Sequence, residues 1–461
     1  MQYASNMPAA SPMTHIVGRS RISPQEKLHM LEAFPAIIKL STLSLKIVFS
    51  GIYTGFSLYL FAITWSKLFL RSLSPQYTGK NRLTKTDIQI IIILLRCVIT
   101  PERKIRMKKA LKIILIILLC IFVIVGGYVA YVFMAYHRVG DMPLKVANGG
   151  NKAIETGKEY KIVSYNIGFG AYESDFGFFM DGGDRAWAWS KSRLNDNLIK
   201  IGSFLLNEKC DICLVQEVDV DSTRSYHIDE RKYLTDVFSG KSYTFAENWD
   251  SPFLFYPLTQ PHGAAKSGIM TFSSFGMTSA ERVELPVEKG PIKIVDLDRC
   301  YSKHRIPADN GAELVLYNFH LSAYTSDGTI ATDQLKLLLE DMKKEYEAGN
   351  YCVAGGDCNK DLLGNSDDYF GKADKEYSWA QPIPEGTFDG YPVLLVAPLD
   401  ENNPVPSCRN SDSAYHEGQY VLTVDGFMAT DNVRVESSKV IDTGFAYSDH
   451  NPVTMSFVLV K

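Results

Sequence analysis

The chain has little cysteine for its length, 8 residues in 461, and no regular spacing among them. Cys97 and Cys120 sit in an N-terminal leader, and Cys352 and Cys358 flank an apolar run. Cys210 and Cys213 form a C-x-x-C that runs into another apolar run, with no second pair. This pattern excludes a disulfide framework and a structural zinc site, so the thiols are read as packing groups. Internal repeats and long low-complexity segments are also lacking, which sets aside solenoid and disordered-array architectures.

Charge is missing from two stretches. Ile113 to Tyr136 is uncharged over 24 residues, roughly 36 Å as a helix and enough for a bilayer core of about 30 Å. It is longer than a signal-peptide core, and no small-x-small cleavage site follows it, so it reads as an anchor. The densely basic flank Arg103–Lys109 assigns residues 101–112 to the cytoplasm and the following domain to the outside. Ile47 to Ser66 is a second uncharged stretch and a possible second span. Residues 1–106 form a basic leader, and Met107-Lys108-Lys109 before the apolar run also resembles a natural start.

The net charge of -4 conceals an asymmetry. Residues 1–137 carry 17 Lys+Arg and 4 Asp+Glu, whereas residues 138–461 carry 31 and 48. The large C-terminal region is therefore acidic, which opposes tight non-specific binding of long polyanions unless a metal or basic patch intervenes. The expected layout is a leader (1–106), an anchor (107–137), a stalk (138–158) and one α/β domain (159–461) with a substantial core.

Within that domain, apolar β-branched runs end in polar motifs. Lys161-Ile162-Val163 leads to Tyr165-Asn166, and Ile212-Cys213-Leu214-Val215 to Gln216-Glu217. Leu314-Val315-Leu316 leads to Asn318-Phe319-His320, and Tyr351–Gly355 to Gly356-Asp357-Cys358-Asn359. Tyr420-Val421-Leu422 precedes Val424-Asp425-Gly426, and Ser448-Asp449-His450 comes last. Such runs predict buried strands, whose ends place carboxylate, amide and imidazole groups at a sheet rim. Ser192–Asn207 and Ile330–Glu347 predict helices; the first carries the stripe Leu194, Leu198, Ile201, Leu205. The second carries Leu335, Leu338, Leu339, Met342 and Tyr346 on one face, with its Lys and Glu residues expected in solvent. The two glycines before Asp357 are expected to let the backbone approach a ligand. Asp357 and Asn359, at i and i+2 of an extended segment, are expected on one face. Residues 361–419 read as a long Pro/Gly/Asp-rich excursion that shapes a pocket.

The identity and order of these six motifs resemble the endonuclease/exonuclease/phosphatase superfamily over roughly residues 158–461. The resemblance implies an α/β four-layer sandwich, two packed mixed β-sheets flanked by helices, here preceded by a transmembrane helix. It implies Mg2+, with Mn2+ as a substitute, held by Glu217 with Asp449 and Asn166. It implies catalytic roles for His320, Asp357, Asn359, Asp425 and His450, with Asp425 orienting and charging His450. Asn166 is also expected to contact phosphate. Arg224, Tyr226 and His227, close after Glu217, and Arg409 are candidate substrate contacts. Asn359-Lys360-Asp361 departs from the Asn-Tyr-Arg of the inositol-phosphatase branch, and no Trp/Arg-rich apurinic-site signature is present, so phosphodiesters are favoured over monoesters. A nuclease is the first expectation, a sphingomyelinase-like phospholipid phosphodiesterase the alternative, and a catalytically inactive binding module the rival from another class. No protein partner is inferred.

Overall fold

The structure is a computed structural model that describes Gln89 and residues 101–287, 297–323 and 329–460. By its contacts the chain divides into residues 1–112 and 113–461. Helix α1 (Pro101–Ala135) includes Lys108–Ala135, the one helix among the described residues that is long and apolar enough to cross a membrane. The Ile47–Ser66 stretch lies outside the described residues.

Beyond α1 the elements are, in chain order, β1 (Met142–Pro143), β2 (Glu159–Asn166), α2 (Lys191–Asn207), β3 (Ile212–Asp219), α3 (Glu230–Val237) and β4 (Ser242–Leu254). Next come β5 (Gly263–Ser273), β6 (Ser279–Glu284), β7 (Cys300–Pro307), β8 (Glu313–His320), α4 (Thr329–Glu347) and β9 (Tyr351–Asp357). The last are α5 (Asp367–Phe370), β10 (Val393–Val396), β11 (Cys408–Arg409), β12 (Val421–Leu422), β13 (Asp425–Thr430), β14 (Val433–Val440) and β15 (Val453–Leu459). They build a six-stranded sheet, β14-β15-β2-β3-β5-β4, and a seven-stranded sheet, β1-β6-β7-β8-β9-β13-β10. Each sheet is mixed and holds one parallel pair, β2/β3 or β8/β9, joined by a helix.

Strand alternation explains the layers. On β2 and β3, Ile162 and Leu214 point toward the second sheet and meet Leu316, Val353 and Phe427. Their neighbours Val163, Cys213 and Val215 point the other way, onto Leu194, Leu198, Ile201 and Leu205 of α2. In the seven-stranded sheet, Val315, Tyr317, Cys352 and Ala354 pack on Leu335, Leu338, Leu339 and Met342 of α4. The period of two thus gives helix, sheet, sheet, helix, with strands apolar on both faces. Ser190 caps α2 by accepting the Arg193 N–H at 3.2 Å. The cysteines of this region are free and buried, as packing groups would be.

Several details depart from the sequence expectations. Residues 138–158 do not hang free as a stalk: β1 pairs with β6, Ala147 bridges Tyr243, and Arg138 pairs with Glu284 and Asp298. The run Tyr420–Leu422 contributes only to a two-stranded sheet with β11, and the core strand is β13, which starts at Asp425. The 361–419 excursion itself contributes β10, the edge strand beside β13. Glu345 of α4 is buried rather than solvated, because Lys303 and Arg305 pair with it at 2.7 and 2.5 Å. The glycines before Asp357 serve packing rather than a ligand. A Cβ on Gly356 would sit 2.0 Å from the Phe319 carbonyl, and one on Gly355 2.7 Å from the Phe427 ring.

Candidate active site

Both parallel pairs run their C-terminal ends to the same seam between the sheets. Asn166 ends β2, His320 ends β8 and Asp357 ends β9. Glu217 lies in β3 where the pairing with β5 slips between Val215 and Val218, and its φ of 55° is left-handed. The bulge re-aims a side chain that regular alternation would bury. Asp425 starts β13, directly opposite Asp357 in register. His450 precedes β15 and makes a bridge to Cys408.

The side chains converge across the seam. Asn166 Nδ2 donates to Asp357 Oδ2 at 3.1 Å and to Glu217 Oε1 at 3.3 Å, while its Oδ1 accepts the Gly168 N–H. Asp425 Oδ2 lies 2.7 Å from His450 Nδ1 and accepts the Ser407 hydroxyl at 2.7 Å. His450 Nε2 and His320 Nε2 stand 3.8 and 3.5 Å from Asp357 Oδ2. Asp449 accepts from Ser411 at 2.9 Å and from Ser448 at 3.2 Å. Below the site, Gln216 Nε2 donates to Asn318 Oδ1 at 2.8 Å, and Asn318 Nδ2 donates to the Met270 carbonyl at 2.8 Å. This buried bridge ties the sheets together directly beneath the site.

Electrostatics divides the groups into roles. Burial pushes the Asp357 carboxyl up to about 7, with His450 opposing and Asp425 adding to the rise. Burial also raises the Glu217 carboxyl, Arg224 opposes and Asp449 reinforces. Burial works against a charge on His450, but Asp425 outweighs it and holds the ring protonated, well above its ordinary value. His320, equally buried, falls well below its ordinary value, driven by burial and by the charges of Arg299 and His450. Two imidazoles at one carboxylate are thus held in opposite protonation states, the pattern of a site that both donates and accepts protons.

Glu217, His320, Asp357, Asp449 and His450 line one cavity of about 150 Å³ with Arg224, Arg409 and Ser411, while Asp425 and Asn166 stand behind its wall and support His450 and Asp357. Arg224 is buried and clamped by Asp219 through two hydrogen bonds of 3.0 and 2.9 Å, beside the rings of Phe169 and Trp249. Arg409 is buried and donates to the carbonyls of Ser413, Glu173 and Phe176. Tyr226 and His227 are not brought into the cavity. The Tyr226 hydroxyl donates to the Ala188 carbonyl, and His227 is exposed and pairs with Asp221. Both lie past the 3-10 turn Thr223–Ser225, with left-handed backbones that turn them away. Asn359 does line the cavity, but not through an extended i, i+2 geometry. Its φ is 48°, its N–H donates to Asp357 Oδ1 at 2.8 Å, and its amide donates to the Leu321 carbonyl.

Sequence reasoning missed Ser407, which donates to Asp425 and accepts the N–H groups of Val424 and Asp425. The Gly- and aromatic-rich run 168–190 reads as a loop near the site, and it does supply Phe178 and Met180 to one wall of the cavity, but Trp249 and His262, which complete that wall, were missed. These residues are distant in sequence and carry no local signal; only the Pro/Gly-rich excursion hinted at the Ser407 segment.

Oppositely shifted titratable groups thus surround a buried carboxylate, with further carboxylates facing the same cavity. The model of the Endonuclease/Exonuclease/phosphatase family matches residues 163–450. The chain belongs to this family, whose members hydrolyse phosphoester bonds. No curated protein matches it. Solved structures with similar folds include an endonuclease/exonuclease/phosphatase from Beutenbergia cavernae DSM 12333, at 15% identity and a TM-score of 0.44, covering 66% of this chain and 72% of that one. The human Nocturnin catalytic domain with bound sulfate anion aligns at 14% identity and a TM-score of 0.42, covering 69% of this chain and 98% of that one. A family protein from Leptotrichia buccalis C-1013-b aligns at 12% identity and a TM-score of 0.43, covering 65% of this chain and 99% of that one.

Proposed function

We propose that the chain is a membrane-anchored, Mg2+-dependent phosphodiester hydrolase, with Mn2+ as a substitute. The observation that carries this reading is Asp357. Its buried carboxylate takes a hydrogen bond from Asn166 on one sheet and faces the His450–Asp425 pair on its other side. Near neutral pH such a carboxyl can accept a proton from an attacking water, which is the role assigned to it. His450, protonated through Asp425, supplies positive charge where a phosphoryl oxygen gains negative charge. His320, neutral, accepts or donates a hydrogen bond beside it. Asn359 holds Asp357 in place through its backbone N–H.

The donor set suits a hard divalent cation. Glu217 accepts from Asn166, makes no ion pair among the described residues, and is raised by burial with Asp449 adding to the rise. Glu217 and Asp449 offer carboxylate oxygens, the donors that Mg2+ prefers, whereas Asn166 turns its amide N–H to Glu217 and its oxygen to Gly168, so it would orient Glu217 rather than ligate the ion. When bound, the ion would neutralise charge on a phosphate oxygen. The helix Lys108–Ala135 supports anchoring, and the basic residues before it support an outside catalytic domain.

The test is hydrolysis of bis-p-nitrophenyl phosphate by the full chain in detergent, with Mg2+, Mn2+ or EDTA. Metal-dependent turnover that falls at least about 10²-fold in Glu217→Gln, roughly 2.7 kcal/mol of lost transition-state stabilisation, is the expected outcome. No turnover together with no Mg2+ binding by calorimetry would sink the reading and favour an inactive binding module.

A further inference from the structure

The β4–β5 hairpin does something no catalytic role requires. Its tip carries Phe255, Tyr256 and Leu258, which are 53%, 71% and 84% exposed. Three large apolar side chains side by side in water form a patch that calls for a partner. The hairpin is also fastened to α1. Tyr128 Oη donates to the Phe253 carbonyl at 3.1 Å and accepts the Phe255 N–H at 3.3 Å, and Tyr131 Oη accepts the Phe253 N–H at 3.1 Å. The Tyr128 ring meets Phe255 edge-on at 5.1 Å.

The position of this clasp along α1 identifies the occupant. A bilayer core of about 30 Å takes about 20 helical residues. Counted from Ile113, the first uncharged residue, that core ends near Val132. Tyr128 and Tyr131 then fall at the domain-side boundary, where tyrosines concentrate in membrane proteins. The hairpin is clasped at Tyr128, roughly 6 Å inside that boundary by the helical rise. This is the depth at which interfacial apolar segments settle.

The tip is continuous with the catalytic cavity. Tyr256 meets Phe179 at 5.9 Å, and Phe179 meets Phe178 at 4.8 Å and His262 at 6.2 Å. Phe178, Met180, Trp249 and His262 form one wall of that cavity. His262 is 2% exposed, with only a weak approach to the Gly263 backbone at its ring nitrogens, and Trp249 Nε1 lacks a partner. Buried polar atoms left open on a cavity wall point to a ligand that satisfies them. Elsewhere around the cavity, Arg224 is held by Asp219, Arg409 by backbone carbonyls, and Arg299 stands close enough to His320 to act on its charge. A nucleic-acid strand needs a row of basic side chains along its backbone, which the described residues of this wall, Phe178, Met180, Trp249 and His262, do not supply.

We propose that the β4–β5 hairpin beds in the outer membrane interface beside the anchor, and that the cavity takes the phosphodiester of a bilayer lipid from that interface, with His262 and Trp249 contacting the part of the lipid beyond the phosphate. The substrate assignment rests on the phosphodiesterase reading; the bedding of the hairpin does not.

The experiment uses the full chain reconstituted in vesicles of phosphatidylcholine, phosphatidylglycerol and sphingomyelin. A bimane probe is placed through Leu258→Cys in a Cys97→Ser, Cys120→Ser background, the remaining six cysteines being buried. Lipids bearing a shallow doxyl group should quench the probe, and iodide in the buffer should not; the reverse result overturns the bedding. In parallel, release of water-soluble phosphoesters from the vesicles is compared with cleavage of single- and double-stranded DNA. The triple variant Phe255→Ser, Tyr256→Ser, Leu258→Ser should lose about tenfold or more on vesicle lipid while keeping its rate on bis-p-nitrophenyl phosphate. DNA cleavage without lipid hydrolysis, or equal losses on both phosphodiesters, overturns the substrate assignment. Failure of the unaltered chain on bis-p-nitrophenyl phosphate with the probe still quenched would count against the phosphodiesterase reading and leave the hairpin's role standing.

Discussion

Replacing Asp425 with Asn should separate the charge of His450 from its position. Asp425 is buried, lies 2.7 Å from His450 Nδ1 and is fixed by the Ser407 hydroxyl. Asparagine keeps the volume and one oxygen but removes the negative charge. His320 shows how an imidazole behaves here without such a partner. It is equally buried, has its nearest carboxylate oxygen at 3.5 Å, and sits well below its ordinary value because burial dominates. With Asp425 neutral, His450 should move the same way and lose its proton near neutral pH. The lost charge-assisted hydrogen bond amounts to about 2–3 kcal/mol. Spent entirely on the transition state, it lowers kcat about 30- to 150-fold at neutral pH. The assay is bis-p-nitrophenyl phosphate hydrolysis from pH 5 to 9, with Mg2+ saturating and thermal melting as a check on folding. Both proteins should lose activity toward acid pH as Asp357 takes up a proton, but the deficit of Asp425→Asn relative to the parent should shrink there, where His450 regains its proton, while KM changes little. A loss below about threefold, or a loss that is constant across pH in a folded variant, would refute the assignment of His450 as a charge held by Asp425.

Buried polar groups give two stability predictions. His304 is fully buried, with Nδ1 3.0 Å from the Leu316 carbonyl and Nε2 2.8 Å from the Thr244 hydroxyl, and burial pushes it down to about 4. The unfolded chain binds this proton near pH 6.5 and the folded chain does not until about pH 4, so the stability is present above 6.5 and lost as pH falls toward 4. At pH 5 the loss is about 2 kcal/mol; denaturant titrations at pH 7 and 5 should show it, and His304→Gln should remove that share of the pH dependence. Asn318→Leu strands the Gln216 amide and the Met270 carbonyl, and should cost about 3 kcal/mol of stability in the same titrations. An Asn318→Leu protein as stable as the parent would mean that the cross-sheet bridge contributes nothing to docking.

The sandwich was legible because its signals are local. Apolar runs of strand length, and helical stripes such as Leu194, Leu198, Ile201 and Leu205, say which face is buried without reference to the rest of the chain. Asn166, Glu217, His320, Asp357, Asp425 and His450 were legible because each lies in a short motif at or near a strand end. What escaped depends on packing between distant segments. Nothing near Tyr226 or His227 signals the left-handed turn that takes them away from the cavity. Nothing around Ser407 announces that it will hold Asp425. Arg409 was a candidate because its excursion was expected to shape a pocket; it does line the cavity, but nothing near it signals that its guanidinium donates to carbonyls of the 173–176 loop, more than 230 residues earlier. The strand at Asp425 was displaced by a few residues because the apolar run before it belongs to a separate two-stranded sheet.

The bridge from Gln216 through Asn318 to Met270 lies under a site whose members are divided between two sheets. Asn166 and Glu217 ride on one sheet, and His320, Asp357 and Asp425 on the other. Neither half contains a working set. Chemistry is therefore a readout of how the sheets are aligned, much as a vernier reads the offset of two scales. A slide of one ångström would leave every strand intact and break the contact between Asn166 and Asp357. Activity should then fade under mild destabilisation before circular dichroism registers any change, so that the site is the first part of the molecule to fail.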